Sequence, residues 1–277
     1  MWTFINDNWV DAEKASIHVS DLAIQRGYAV FDFFRTVEQK PLFIDDHLER
    51  LQHSAAVLRL KLPYTVNELK QIVLELVNRN QLSTSGIRIT VTGGNAADTY
   101  TPTTPNVIIT QSPLTMDAAF DAQKGITLIT EEYVRELPTA KSINYLMGVY
   151  LQQKVKDAGA ADVLYVKDSY VSELPRSNIF IVNQQNELIT PDKNVLSGIT
   201  RKHILQLAAT FLSVKEQPVT LRDVLTAKEV FVSSTTKRLL PVLNVNGQPI
   251  ANGNPGAVTK ELYTQFLLLE KQITAVT

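Results

Sequence analysis

Leu137-Pro138-Thr139-Ala140-Lys141-Ser142-Ile143-Asn144-Tyr145-Leu146 is the stretch on which the fold turns. It follows a strand-like segment at 126–130. It leads into apolar positions at Ile143, Leu146, Met147, Tyr150, Leu151 and Val155, whose spacing predicts a helix closed by Gly159. A lysine at such a strand-to-helix junction, in a mostly apolar neighbourhood, is a candidate Schiff-base former. Its ammonium loses its proton once desolvated and becomes a nucleophilic amine. Taken alone, Lys141 also reads as an ordinary solvated lysine, so its chemistry depends on what flanks it.

Strand patterns cluster beyond it, at 162–166, 178–182, 188–190 and 229–233, with a helix at 200–212, a hairpin signal at Asn246-Gly247 and a helical pattern over 256–272. Toward the N-terminus, Asn6-Asp7-Asn8 turns a hairpin and Asp45-Asp46 can cap a helix carrying Leu48, Leu51, Ala55 and Leu58. A second helix is predicted over 67–78, then strands at 87–91 and 106–110. Helices and strands mix without regular βαβ alternation, which predicts an α+β fold rather than a doubly wound sheet. The polar connection after Ser112 divides the chain into a small N-terminal domain (1–113), a linker (114–121) and a larger C-terminal domain (122–277) that carries Lys141.

With 27 basic and 28 acidic side chains the net charge is −1, which argues against a polyanion-binding surface and so against nucleic acid. Cysteine is absent, which excludes disulfides, thiolate metal sites and cysteine nucleophiles. His47 and His53 fall on different helix faces, so no histidine pair has metal-ligand spacing and no metal is expected. There is neither a signal-peptide pattern nor an apolar run of membrane-spanning length, so a soluble, cytoplasmic protein is expected.

Three features gather around the lysine. Leu196-Ser197-Gly198-Ile199-Thr200-Arg201 sets a glycine and a hydroxyl at a helix start, where free N–H groups and the helix dipole favour an anion; an ordinary threonine cap reads the same way. Phe231-Val232-Ser233-Ser234-Thr235-Thr236 ends a strand in hydroxyls, as a phosphate-binding turn or a plain polar turn. Glu173 is either a solvated glutamate or a carboxylate aimed at a pyridine nitrogen, where it keeps the ring an electron sink.

These segments, with Arg26-Gly27-Tyr28, Asp46-His47-Leu48-Glu49-Arg50-Leu51 and Ser177-Asn178-Ile179-Phe180, resemble in order and spacing the fold-type IV pyridoxal-phosphate enzymes over nearly the whole chain. That family includes D-amino-acid aminotransferase, branched-chain aminotransferase and aminodeoxychorismate lyase. The resemblance implies a two-domain, D-amino-acid aminotransferase-like fold, pyridoxal 5'-phosphate as cofactor and a homodimer. It also implies transfer of an amino group between an α-amino acid, D- or branched-chain L-, and a 2-oxo acid such as 2-oxoglutarate. The alternative is a lyase releasing pyruvate and 4-aminobenzoate. Carried over residue by residue, Lys141 is the Schiff-base lysine and proton carrier, Glu173 the ring-nitrogen partner and Arg50 a phosphate ligand. Ile199, Thr200, Ser234 and Thr235 match further phosphate donors, and His47 reads as a structural helix residue.

The pattern departs where substrate is chosen. The Arg-x-His pair that grips the carboxylate in bacterial D-amino-acid aminotransferases is replaced by Ala97-Asp98-Thr99-Tyr100, and the Gly-Asp-Gly element by Phe31-Asp32-Phe33 followed by Phe34-Arg35. Arg35 or Arg88, with Tyr100, is the expected substitute clamp, since an unpaired arginine in an apolar strand is costly. A salt bridge of either to a nearby acid such as Asp32 is the competing expectation. Arg176 interrupts a run the family fills with small residues, and reads equally as an exposed turn arginine.

Overall fold

The computed structural model describes residues 1–115 and 124–276, and these form two compact units. The first unit holds residues 1–115, 139–144 and the C-terminal residues from Gln272. The second holds the chain up to Pro138 and Tyr145–Lys271. Residues 116–121 of the expected linker lie outside the described residues. The sequence division put Lys141 with the C-terminal part, whereas its segment belongs to the first unit. The reason is backbone pairing. Phe31 N donates to Lys141 O at 2.9 Å, Ile143 N donates to Ala29 O at 3.0 Å, and Val30 pairs with Ser142.

A six-stranded sheet forms the first unit, in the order Asn8–Asp11, Trp2–Ile5, Val107–Pro113, Thr84–Thr92, Ala29–Val37, Lys40–Pro41. All its pairings are antiparallel. Ala29–Val37 is rich in β-branched and aromatic residues and pairs along its whole length with Thr84–Thr92, with Phe33 opposite Arg88. Strand alternation sends Val30, Asp32 and Phe34 to one face, and Phe31, Phe33 and Arg35 to the other. The first face packs on helices Ile44–Val57 and Val66–Asn80, and Leu48, Leu51, Leu69, Leu76, Phe34, Ile87 and Ile89 are wholly buried there. Each such side chain contributes on the order of 2 kcal/mol.

Both helices follow their predicted periodicity. The first begins earlier than expected, after Phe43 in a left-handed conformation (φ 55°), with Asp45 and Asp46 inside the first turn rather than at the cap. Their carboxylates there complement the helix dipole. The second is opened by a capping box between Thr65 and Glu68.

The second unit is built on a mixed sheet. Its central strands run Leu188–Thr190, Ser177–Val182, Glu229–Ser234, Arg238–Val245, Ile126–Glu132, Asp162–Lys167. The pairings on either side of Ile126–Glu132 are parallel, while Ser177–Val182 and Glu229–Ser234 are antiparallel. The helix predicted from Ile143 is broken into Leu146–Tyr150 and Gln152–Asp157. Ile143 is drawn into backbone pairing with Ala29, and only Leu151, between the two pieces, is buried. No helix among the described residues is long and apolar enough to cross a membrane.

Candidate active site

Lys141 is held by its backbone on both sides. Its carbonyl accepts from Phe31 N, and its amide donates to Ser54 Oγ at 3.0 Å from a helix residue that is wholly buried. Ala140 before it is also wholly buried. The half-buried side chain lays Nζ over the Phe31 ring, 4.6 Å from its centroid, and the Arg88 guanidinium lies 3.8 Å from the same centroid. One aromatic ring therefore carries two cationic groups.

Asp32 points the opposite way, into the helix face. Its carboxylate accepts from Arg50 Nε at 2.9 Å and Nη2 at 2.8 Å, and is bonded to His47 Nδ1 at 2.7 Å. Burial pushes the Asp32 carboxyl up, but the charges and hydrogen bonds of Arg50 and His47 outweigh it and hold it below the usual carboxylate range. Burial pushes the His47 imidazole down, more than Asp32 raises it. Asp32 is thus committed to His47 and Arg50, across the strand from Arg35 and Arg88. The expected arginine candidates differ in exposure: Arg35 is 2% exposed, while Arg88 is exposed and stacked on Phe31. Tyr100 is 78% exposed in its loop, with its amide donating to Asp98.

In the second unit Glu173 is buried. Oε1 accepts from Arg135 Nε at 2.6 Å, and Oε2 accepts from the Leu196 amide at 2.9 Å. Arg135 did not stand out in the sequence. The one signal that could have found it is physical: a buried carboxylate requires a countercharge nearby. Leu196 O accepts from Asn178 Nδ2 at 2.9 Å, and Asn178 Oδ1 lies where a Cβ on Gly198 would sit, at 2.1 Å. Only glycine lets the chain pass there.

Gly198 caps helix Ile199–Ala208, whose N-terminus has neither a side-chain cap nor an acid in its first turn. Ile199 and Thr200, both buried, open that helix. Ser234 and Thr235 end the strand Glu229–Ser234 and its turn, where Ser234 Oγ accepts from Lys237 N. Buried on the neighbouring strands, Ser233 Oγ and Ser177 Oγ find no hydrogen-bond partner among the described residues. Of the residues singled out from the sequence, Lys141, Arg50, Arg35, Arg88 and Tyr100 belong to the first unit. Glu173, Ile199, Thr200, Ser234 and Thr235 belong to the second.

The family profile for amino-transferase class IV matches residues 29–245. D-alanine aminotransferase of Bacillus licheniformis is 32% identical over 270 residues, 95% of each chain. A putative branched-chain-amino-acid aminotransferase of Methanocaldococcus jannaschii is 30% identical over 275 residues, 96% of this chain and 95% of its own. Among solved structures, the branched-chain amino acid aminotransferase of Escherichia coli superposes with a TM-score of 0.89 at 27% identity, covering 97% of this chain and 94% of its own. The T.th. branched-chain amino acid aminotransferase with pyridoxamine 5'-phosphate gives 0.90 at 25% identity, covering 97% and 93%. Enzymes of this class use pyridoxal phosphate, and the fold is fold-type IV. With the profile spanning most of the chain and relatives matching it nearly end to end, this protein belongs to the class IV aminotransferases.

Proposed function

We propose that the protein transfers an amino group between an α-amino acid and a 2-oxo acid such as 2-oxoglutarate, with Lys141 as the catalytic residue. The carrying observation is the setting of Lys141: backbone fixed on both sides, and amine laid on Phe31 beside Arg88. The residues fit the cofactor. Ser177 Oγ and Ser233 Oγ, buried without partners among the described residues, and the uncapped helix start at Gly198 are groups that an anion satisfies. Ile199, Thr200, Ser234 and Thr235 are the proposed phosphate donors of the second unit; Arg50, bonded to Asp32, is the phosphate ligand proposed from the family resemblance. Glu173 would face the ring nitrogen.

When bound, pyridoxal phosphate supplies an aldehyde that takes up amines and a ring that draws electrons from the substrate Cα. Lys141 Nζ would be the amine that holds this group at its aldehyde and, once the substrate amine takes that place, the base that would carry the proton at Cα. Glu173 would keep a proton at the ring nitrogen. Arg88 is our first assignment for the substrate carboxylate, because its guanidinium is exposed and shares the Phe31 ring with Lys141; Arg35 and Tyr100 are the further candidates.

A D-amino acid or a branched-chain L-amino acid is the proposed donor, in keeping with the names of the relatives. The lyase alternative draws no support from those relatives, which are named as aminotransferases. We further propose a cytoplasmic homodimer, whose second copy covers Leu146, Val149 and Tyr150, at 77%, 61% and 76% exposure.

The test combines trapping with turnover. Borohydride reduction of the loaded protein followed by peptide mass analysis should find the cofactor on Lys141, and nowhere in Lys141→Ala. A panel of D- and L-amino acids with 2-oxoglutarate should yield glutamate from at least one donor. Cofactor on another lysine, or no transfer from any donor, overturns the assignment.

A further inference from the structure

Glu173 is 4% exposed, and a carboxylate that deep is costly without a countercharge and a set of donors. Arg135 provides the countercharge, at 2.6 Å, and its side chain is only 10% exposed. The same guanidinium has a second acceptor. Its Nη2 donates at 2.6 Å to the carbonyl oxygen of Pro138, three residues ahead of Lys141. Because the fork is planar, holding both acceptors fixes the plane of the guanidinium and with it the direction of the Nε–H aimed at Glu173. The other carboxylate oxygen is fixed by the Leu196 amide, in the segment that leads through Gly198 into helix Ile199–Ala208.

We propose that Arg135 is the positioning residue for Glu173: it orients and counterbalances that carboxylate while pinning the backbone at Pro138. This deepens the proposed function and rests on it. Arg135 acts through Glu173 and touches neither substrate nor cofactor in this role. A lysine at the position keeps the charge but is a point cation without the fork, so it serves Glu173 or Pro138 O and not both in one plane.

A residue that merely stabilises the fold would behave differently, and the loaded enzyme tells the two apart. Arg135→Met, Arg135→Lys, Glu173→Gln and the double variant Arg135→Met/Glu173→Gln are compared by visible absorption spectrum, and by kcat and KM for the best donor of the panel. Arg135→Met should move the visible band in the same direction as Glu173→Gln. It should lower kcat at least about tenfold while KM changes less than about threefold. On the Glu173→Gln background it should cost less than about a further threefold, because the group it acts through is already gone. Arg135→Lys should recover part of kcat.

An unchanged visible band in Arg135→Met, or its full loss of kcat repeated on the Glu173→Gln background, overturns the proposal. Should Arg135→Met fail to fold, Arg135→Lys alone and combined with Glu173→Gln serves the same comparison. Borohydride trapping on the unmodified protein separates the two claims. Cofactor away from Lys141 sinks the proposed function, whereas cofactor on Lys141 with additive variants sinks only the role of Arg135.

Discussion

Replacing Asp32 with asparagine removes the charge from a wholly buried carboxylate without changing its shape. Oδ2 accepts from Arg50 Nε, and Oδ1 receives Arg50 Nη2, the Phe33 amide and His47 Nδ1. An asparagine offers one oxygen, so its NH2 must face a donor of Arg50 or the cluster around Oδ1. Either choice leaves the 9%-exposed Arg50 without its countercharge. Removing one partner of a buried pair costs about 3–5 kcal/mol, and the shape match favours the lower end, near 3 kcal/mol. With a urea dependence of about 2 kcal/mol per molar, the unfolding midpoint should fall by about 1.5 M.

Fluorescence reads the right part of the chain, since Trp2 and Trp9 are its only tryptophans and both lie in the first unit with Asp32. The control is Asp32→Asn combined with Arg50→Met, which should be milder than the two single losses added together because no orphan charge remains. A midpoint shift below about 0.3 M, or a double variant as damaged as the summed singles, would refute the account of Asp32 as the countercharge of Arg50.

The same cluster predicts a pH dependence. Unfolded His47 takes a proton near its ordinary value of 6.5, while the folded, buried imidazole resists it, so the stability it contributes is present above pH 6.5 and declines as pH falls below. The Asp32 contribution persists lower, vanishing only as pH falls from the ordinary carboxylate range through the depressed folded value. Urea midpoints at pH 7.5 and 5.5 should therefore differ less in His47→Asn than in the unmodified protein; equal differences exclude His47 as the source. Gly198→Ala has an unstrained φ of −67°, so its damage is purely steric: Asn178 must give up Leu196 O. It should weaken pyridoxal-phosphate binding to the apo-protein by at least about tenfold, and an unaltered titration would show that this passage is not part of the cofactor site. Arg88→Ala should raise KM for amino acids by at least about tenfold with Lys141 still loaded, and kinetics unchanged in both it and Arg35→Ala remove the carboxylate assignment.

Much of the cluster around Asp32 was legible in local pattern. The three-to-four spacing of Leu48, Leu51 and Ala55 predicts the helix that carries His47 and Arg50, and the β-branched run around Ile87 predicts the strand beside Phe33. His47 reads as structural from the sequence and is buried against Asp32. The helix drawn from Ile143 was wrong in its first turn. Periodicity cannot see that a strand over a hundred residues earlier competes for the amide of Ile143. Arg88 fits the same limit: strand alternation predicts which face it shares, not that a neighbouring ring takes its guanidinium.

The sequence by itself determined the elements, the apolar faces that bury them, and the order of Lys141, Glu173, Gly198 and the terminal hydroxyls along the chain. Those follow from local periodicity and residue chemistry. The tertiary structure decided which charges meet: Arg50 with Asp32, Arg135 with Glu173, Arg88 and Lys141 on Phe31. It also decided that the lysine segment pairs with the strand Ala29–Val37. Partners in each case are brought together by chain crossings far apart in sequence. A buried charge states that it needs a partner, and only the packed fold states which one.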